Sequence, residues 1–431
     1  MNTTKVGNVA NDVKNKMTNL ANEIMSDGNC YIVVVYLVCI IFLVIFSYSI
    51  YLRRELTKSE RNLSEMEKIQ AEFNRGSISP VSQLYNKEAD NPDTYFGLLD
   101  VYIMGSYNSC CAGPIINGNV SKQALGYVIQ KGVRFLDFEV YLKKQTAVVA
   151  AGRNNIYIKD TLNEINLGEV LEFVRSNCLE GGLSPNNTDP LFLQFRVMSG
   201  NEAIYSIIAK NIRKYLSNFL LPSKYGKGGD IVAPDPGDEN KYSGNGKNKF
   251  YNNVVFSDLR DLKGKVIIIL KDHPDFLGEY KKTDLYELVN IGNANNPDVL
   301  WKTDYEINNA SSVDNMKEEH KYNFCITTPD NFSKANSKAS THLGVGCQAV
   351  LMNFGGGYND TQMKYYIKKF SDAGSAFIVK PEKLRRTRVF AGEPRPPDPR
   401  LNPMQRNCNL PFGGEGSIPM GPIPGGAAAC E

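Results

Sequence analysis

Hydrophobic and polar positions divide the chain into stretches of different periodicity. Residues 1–30 are mostly polar, whereas Tyr31 to Leu52 holds no charged residue and is crowded with Ile, Val, Leu and Phe. At 1.5 Å per residue such a segment is about 33 Å long, enough to cross a bilayer's hydrocarbon core. The run predicts a transmembrane helix over 31–52, with Tyr31, Tyr48 and Tyr51 at its interfaces. Its length, its late start and the lack of a small-residue cleavage site favour a retained helix over a cleaved leader. After Arg54, Leu56, Leu63, Met66, Ile69 and Phe73 recur at helical spacing among Glu, Lys and Arg. Three to four full heptads are not sustained, so a solvated juxtamembrane helix is expected rather than a coiled coil. Ser77 to Asp93, polar and carrying Pro80 and Pro92, completes a juxtamembrane and linker region over 53–94.

From residue 95 the pattern changes to short β-branched runs separated by helical stretches. Candidate strands are Val101–Met104, Arg134–Val140, Ala147–Ala150, Leu191–Val197, Val266–Lys271, Asn323–Thr327, Gln348–Asn353 and Ala376–Val379. Such alternation predicts an α/β fold, a TIM (β/α)8 barrel over 95–388. Within it, 222–253 is rich in Gly, Asn and Lys and lacks periodicity, which predicts a mobile loop. Residues 389–431 form a Pro/Gly-rich tail, with nine prolines between Pro394 and Pro424. Too little apolar surface is available there to order the chain. Pro394-Arg395-Pro396-Pro397 has the form of a polyproline ligand, but a solvated tail is the simpler expectation.

Composition narrows the chemistry. The 49 basic and 46 acidic residues nearly cancel, which argues against a nucleic-acid partner. Three histidines are few for an acid–base enzyme, and none of His273, His320 and His342 falls in a recognisable motif, although His273 follows a strand and could approach the barrel mouth. The nine cysteines are scattered without a Cys-x-x-Cys pair, so neither a zinc site nor a dense disulfide framework is indicated. Sequons such as those at Asn186 and Asn359 are expected by chance in an asparagine-rich chain. Arg53, Arg54, Lys58 and Arg61 crowd the C-terminal side of the apolar run, which by the positive-inside rule puts the barrel in the cytosol as a single-pass membrane protein.

Particular motifs carry more. Gly105-Ser106-Tyr107-Asn108 is followed by Gly132-Val133-Arg134-Phe135-Leu136-Asp137-Phe138-Glu139 and by Ala151-Gly152. Further on stand Lys263-Gly264-Lys265-Val266-Ile267-Ile268-Ile269-Leu270-Lys271, Gly346-Cys347-Gln348-Ala349-Val350-Leu351-Met352-Asn353-Phe354 and Phe377-Ile378-Val379-Lys380-Pro381. In this order they resemble the X and Y regions of eukaryotic-type phosphatidylinositol-specific phospholipase C, over roughly residues 95–388. The resemblance implies a PLC-like phosphodiesterase barrel acting on phosphoinositides in lipid metabolism and intracellular signalling.

It also implies a degenerate site. Tyr107 and Ala151 stand where the family has its two catalytic histidines, the first in Ser-His-Asn and the second in His-Gly. A phenol titrating near 10 is a poor base at neutral pH, and alanine transfers no proton. Asn108, Asp137 and Glu139 match the family's calcium ligands, with the two acids interchanged. Arg196, in Pro190-Leu191-Phe192-Leu193-Gln194-Phe195-Arg196, takes the place of a fourth, carboxylate ligand. A guanidinium there repels a divalent cation and can pair bidentately with Asp137 or Glu139. Lys271 matches one phosphate-binding lysine, while Ile269 occupies the other's place; Ile326 and Asn336-Ser337 fall near the inositol contacts.

Base, acid, metal and inositol contacts are thus all damaged. The expectation is a membrane-anchored, catalytically silent phospholipase C-like protein, a binding or structural module. It needs no cofactor, and its implied partner is a membrane lipid of the phosphoinositide type. The alternative is a divergent phosphoric diester hydrolase that uses calcium.

Overall fold

A computed structural model describes residues 14–19, 22, 30–72, 78–81, 96–153, 158–229, 254–294, 296, 298–330, 336–357 and 359–386. The expected tail over 389–431 and most of the expected loop over 222–253 lie outside these residues, as does most of Ser77–Asp93.

The strands of the barrel wall and those paired directly to it are β1 (Val101–Ser106), β2 (Phe135–Lys143), β3 (Thr146–Ala150), β4 (Leu191–Val197), β5 (Val266–Asp272), β6 (Ile291–Gly292), β7 (Val299–Thr303), β8 (Phe324–Thr328), β9 (Ala349–Met352) and β10 (Phe377–Val379). Eight of them form a parallel sheet in the order β7-β8-β9-β1-β2-β4-β5-β6, with the ends β6 and β7 unpaired to each other. This is a nearly closed barrel. Its strands are buried from both sides, which is why Val266-Ile267-Ile268-Ile269-Leu270 is an unbroken apolar run rather than an alternating one.

Two of the expected barrel strands are not in the wall. β3 pairs antiparallel with the far end of β2, and β10 pairs antiparallel with β1. The wall instead contains β6 and β7. β6 is two residues long and too short to show periodicity, and β7 follows an Asn-rich stretch. Antiparallel and parallel strands share one period, so hydropathy could not separate them. The β2–β3 hairpin turns on Lys144 and Gln145, at φ 45° and 60°. Both sit in the left-handed region that such two-residue turns require and that Asn-Gly fills best. Lys144→Asn with Gln145→Gly is expected to stabilise the barrel by about 1 kcal/mol, measurable as a rise in Tm.

Alternate residues of the strands face the barrel axis. At its base Phe135 stacks on Phe192 at 5.7 Å between centroids, and Phe192 reaches Phe324 at 6.3 Å. These rings come from three strands on both sides of the barrel, so they plug the interior. Two residues further along β2 and β4 the same face becomes polar, with Asp137 opposite Gln194 and Glu139 opposite Arg196. Lys271 on β5 lies opposite Arg196 on its other side. Register alone therefore sets a row Glu139–Arg196–Lys271 across three neighbouring strands near the C-terminal mouth.

One helix, α1 (Cys30–Glu72), runs without a break from the apolar run into the charged segment. It is long and apolar enough to cross a membrane, and the apolar window has no buried share. Its charged half differs from the solvated helix expected from the sequence. Met66 and Ile69 are buried against the barrel core and Leu63 packs on it. Asn62 Nδ2 donates to Ala112 O at 3.2 Å, and Lys58 Nζ to Asn117 O at 3.3 Å. Ile78 and Val81 are also buried, and Val81 N–H donates to Asp189 Oδ1 at 2.7 Å. The apolar stripe that could have formed a coiled coil is used by the barrel itself.

Helix α1 approaches the loop after β1 closely. A Cβ on Gly113, at φ 96°, would come 2.0 Å from Asn62 Nδ2. Gly113→Ala is expected to cost on the order of 1–2 kcal/mol through backbone strain and to loosen α1. Faster proteolysis between Glu72 and the barrel would show it.

Candidate functional site

The loop after β1 and strands β2 and β4 bring the predicted residues together at the mouth. Asn108 adopts φ 43°, a left-handed conformation that asparagine tolerates better than most residues. This turn points its backbone N–H at Asp137 Oδ2, 3.0 Å away. Ser109 ties the same loop to β2: its N–H donates to Asp137 O at 2.9 Å, and its hydroxyl accepts from Asp137 N at 3.0 Å.

Arg196 fills the centre. Its Nε and Nη2 donate to the two oxygens of Asp137 at 2.9 and 2.8 Å. Its Nη1 donates to Glu139 Oε1 at 2.7 Å, and its Nη2 to Asn108 Oδ1 at 2.6 Å. Nη1 also reaches Tyr107 Oη at 3.3 Å, and the guanidinium carbon lies 4.5 Å from the Tyr107 ring centroid. Asp137 and Glu139 are fully buried and Arg196 is 6% exposed. Such a fork-on-carboxylate arrangement combines hydrogen bonding with charge neutralisation. The two carboxylates hold the guanidinium protonated against the pull of burial.

The remaining lone pairs are satisfied by residues to which the sequence analysis gave no role. Gln194 Nε2 donates to Asp137 Oδ1 at 2.9 Å, and its Oε1 accepts from Trp301 Nε1 at 3.2 Å across the barrel. Tyr141 Oη and Gly152 N–H donate to Glu139 Oε2 at 2.8 and 2.6 Å. Gln194 and Tyr141 lie two residues from Arg196 and Glu139, so strand alternation could have flagged both. Trp301 could not have been found this way, because β7 was not anticipated.

The calcium implied by the sequence resemblance does not fit these residues. Calcium needs six to eight oxygen ligands. Every would-be ligand oxygen of Asn108 and Asp137, and one of Glu139, is within hydrogen-bonding distance of the guanidinium instead.

Tyr107 is 3% exposed, and burial pushes its phenol well above the ordinary value, although Arg196 opposes the shift. It is a neutral hydrogen-bonding group at any physiological pH. Ala151 is fully buried beside Gly152. Half-buried Lys271 has its pKa pulled down to about 8, first by desolvation and then by repulsion from Arg196. His273 contacts its own loop: its Nδ1 accepts from Asp275 N at 3.3 Å, and its ring lies 5.5 Å from Phe276. Ile269 and Ile326 are buried wall residues. Asn336 is held by Asn353 O and Asp360, and Ser337 by Asp304.

No family model matches the sequence, and no curated protein matches it. Among solved structures, PLC21 of L. pealei and PLC21 of S. officinalis each superpose with a TM-score of 0.50 at 16% identity, over 68% of this chain and 38% of theirs. The fold is that of phospholipase C. This chain spans 38% of the length of those two proteins. A calcium-dependent phosphoinositol-specific phospholipase C from Pseudomonas sp. aligns over 67% of this chain and 97% of its own, at 10% identity and a TM-score of 0.41. Within the phospholipase C-like barrel described above, the C-terminal mouth is the end where TIM barrels carry their active sites.

Proposed function

We propose that this chain is a membrane-anchored phospholipase C-like barrel that binds a phosphoinositide headgroup without cleaving it. The observation that carries the reading is the Arg196 guanidinium bonded to Asp137, Glu139 and Asn108 in the middle of the mouth. A metal-dependent phosphodiester hydrolase lowers the pKa of the attacking hydroxyl with the cation and moves protons with groups titrating near neutrality. A guanidinium does neither, and Tyr107 and Ala151 supply no proton carrier.

Anion binding is a different requirement, and the mouth meets it. Lys271 stands beside Arg196 on the next strand, and its ammonium is the cation there with its charge least committed to the two acids. Phosphate would pair with it as a point charge. The side chains of Ile116, Leu162, Ile158 and Leu277 are exposed on loops that follow β1, β3 and β5, and that of Tyr305 on the short helix that follows β7. An apolar rim on the mouth side suits a lipid surface. Lys58, which bonds the loop carrying Ile116, lies six residues beyond Leu52 on one continuous helix, roughly 9 Å along its axis. This spacing supports a mouth near the end of the apolar segment and turned toward the bilayer.

The test uses the full chain in nanodiscs with Trp301, the single tryptophan of the sequence, as a built-in reporter. Soluble inositol phosphates should change its emission saturably, and Lys271→Ala should abolish the change. Binding should weaken as pH rises through about 8, where Lys271 loses its proton. A wild-type response identical to that of Lys271→Ala would refute the headgroup reading. For the topology, protease added outside intact cells should leave the barrel uncut, since the Lys/Arg excess follows Leu52. Digestion from outside would reverse it.

A further inference from the structure

The opposite end of the barrel holds a second cluster that takes no part in the mouth. His320 lies on the helix Val313–Tyr322, Cys325 is the second residue of β8, and Cys347 precedes β9 by two residues. All three are fully buried, and an imidazole nitrogen and the two sulfurs lie within 4.8 Å of one another. Cys347 Sγ is 3.7 Å from His320 Nδ1. A sulfur and a nitrogen bound to one tetrahedral zinc at about 2.3 and 2.0 Å are about 3.5 Å apart. The sulfur–nitrogen spacing is therefore already close to that of a metal-bound pair. His320 Nδ1 also lies 2.9 Å from Val345 O, while its Nε2 is buried with no hydrogen-bond partner among the described residues. The contact with Val345 O requires a proton on Nδ1, so ligation by Nδ1 moves that proton to Nε2 and gives up the bond to Val345 O.

We propose that His320, Cys325 and Cys347 bind a thiophilic d10 cation, Zn(II) or Cu(I). Thiolate and imidazole are the donors such ions select, whereas calcium and magnesium require oxygen. Loading with Zn(II) releases the two S–H protons to solvent, and the two thiolates balance the divalent charge. Cu(I) needs only three donors but leaves one negative charge. The ammonium of Lys380, which donates to Gly346 O at 2.9 Å and His320 O at 3.3 Å, is placed to offset it. The ion would tie together a helix and two strand starts in the C-terminal half of the barrel. The two cysteines are 22 positions apart and belong to no Cys-x-x-Cys pair, so only the β8–β9 pairing brings them together.

The test uses the full chain in detergent, reduced and stripped of metal. Zn(II) and Cu(I) are titrated separately against a competing chelator for each ion. Retention of a stoichiometric ion is expected, and the ion retained more tightly identifies the occupant. With Co(II) as a probe, a thiolate-to-cobalt charge-transfer band should appear. Cys325→Ser with Cys347→Ser should abolish both signals, while Cys39→Ser, on the exposed apolar helix, should leave them unchanged. Failure of the reduced wild type to hold either ion, with no cobalt band, would overturn the proposal, even if the double variant does not fold. Unchanged retention by a folded double variant would overturn it as well. Neither result bears on the mouth or on headgroup binding.

Discussion

Replacing Arg196 with alanine is expected to destabilise the barrel by about 3–5 kcal/mol, the cost of breaking a buried ion pair by removing one partner. Asp137 and Glu139 are fully buried, and the guanidinium donates three of the hydrogen bonds that reach them. Without it two neighbouring carboxylates face each other across one strand face, and Gln194, Tyr141 and the Gly152 amide can solvate but not neutralise them. Arg196→Lys should recover only part of the loss, because an ammonium cannot span both acids with the same fork. Thermal unfolding with and without calcium separates the alternatives. Wild type should unfold at the same temperature in both, since the guanidinium takes up the calcium-ligand oxygens. In Arg196→Ala those oxygens are released, and calcium should restore part of the lost stability. A clear rise in the wild-type Tm on adding calcium would mean that the cation displaces Arg196, and the reading of the mouth would fail.

The second large effect is on catalysis: phosphoinositide hydrolysis at neutral pH should lie below ordinary assay limits. A positioned general acid or base is typically worth about 10²–10⁴-fold, and both positions lack one. Loss of the metal removes a further several kcal/mol of electrostatic stabilisation. Restoring the imidazoles with Tyr107→His and Ala151→His should not bring activity back while Arg196 remains, because no cation is then available to acidify the attacking hydroxyl. Inositol phosphate release from radiolabelled vesicles is the direct measurement. Calcium-dependent release by the wild type, abolished by Asp137→Asn, would establish the hydrolase instead.

Several features were legible before any coordinates. The uncharged run from Tyr31 to Leu52 predicts a membrane-length helix because bilayer thickness sets a length that composition alone reveals. The runs expected to begin at Val101, Arg134, Leu191, Val266, Asn323 and Gln348 all became barrel strands, each to within one residue at its start, since strands buried from both sides are largely apolar. The spacing of Asp137 and Glu139 put both acids on one face of a strand.

Tertiary structure decided the rest, because pairing partners are not written in local periodicity. β3 and β10 share the period of barrel strands, yet each pairs antiparallel outside the wall, while the two-residue β6 ends it. The stripe Leu63, Met66 and Ile69 has the same helical spacing whether it faces water, a second helix or a barrel, and only the fold brought a barrel against it. Register between β2, β4 and β5 placed Glu139, Arg196 and Lys271 in one row, and the chain's crossing of the barrel brought Trp301 to Gln194. His320, Cys325 and Cys347, unremarkable along the chain, meet because parallel strands align residues far apart in sequence. Sequence by itself determined which faces are apolar and which residue types are missing from the mouth. Long-range strand register, a property of the folded sheet, determined which charges meet there.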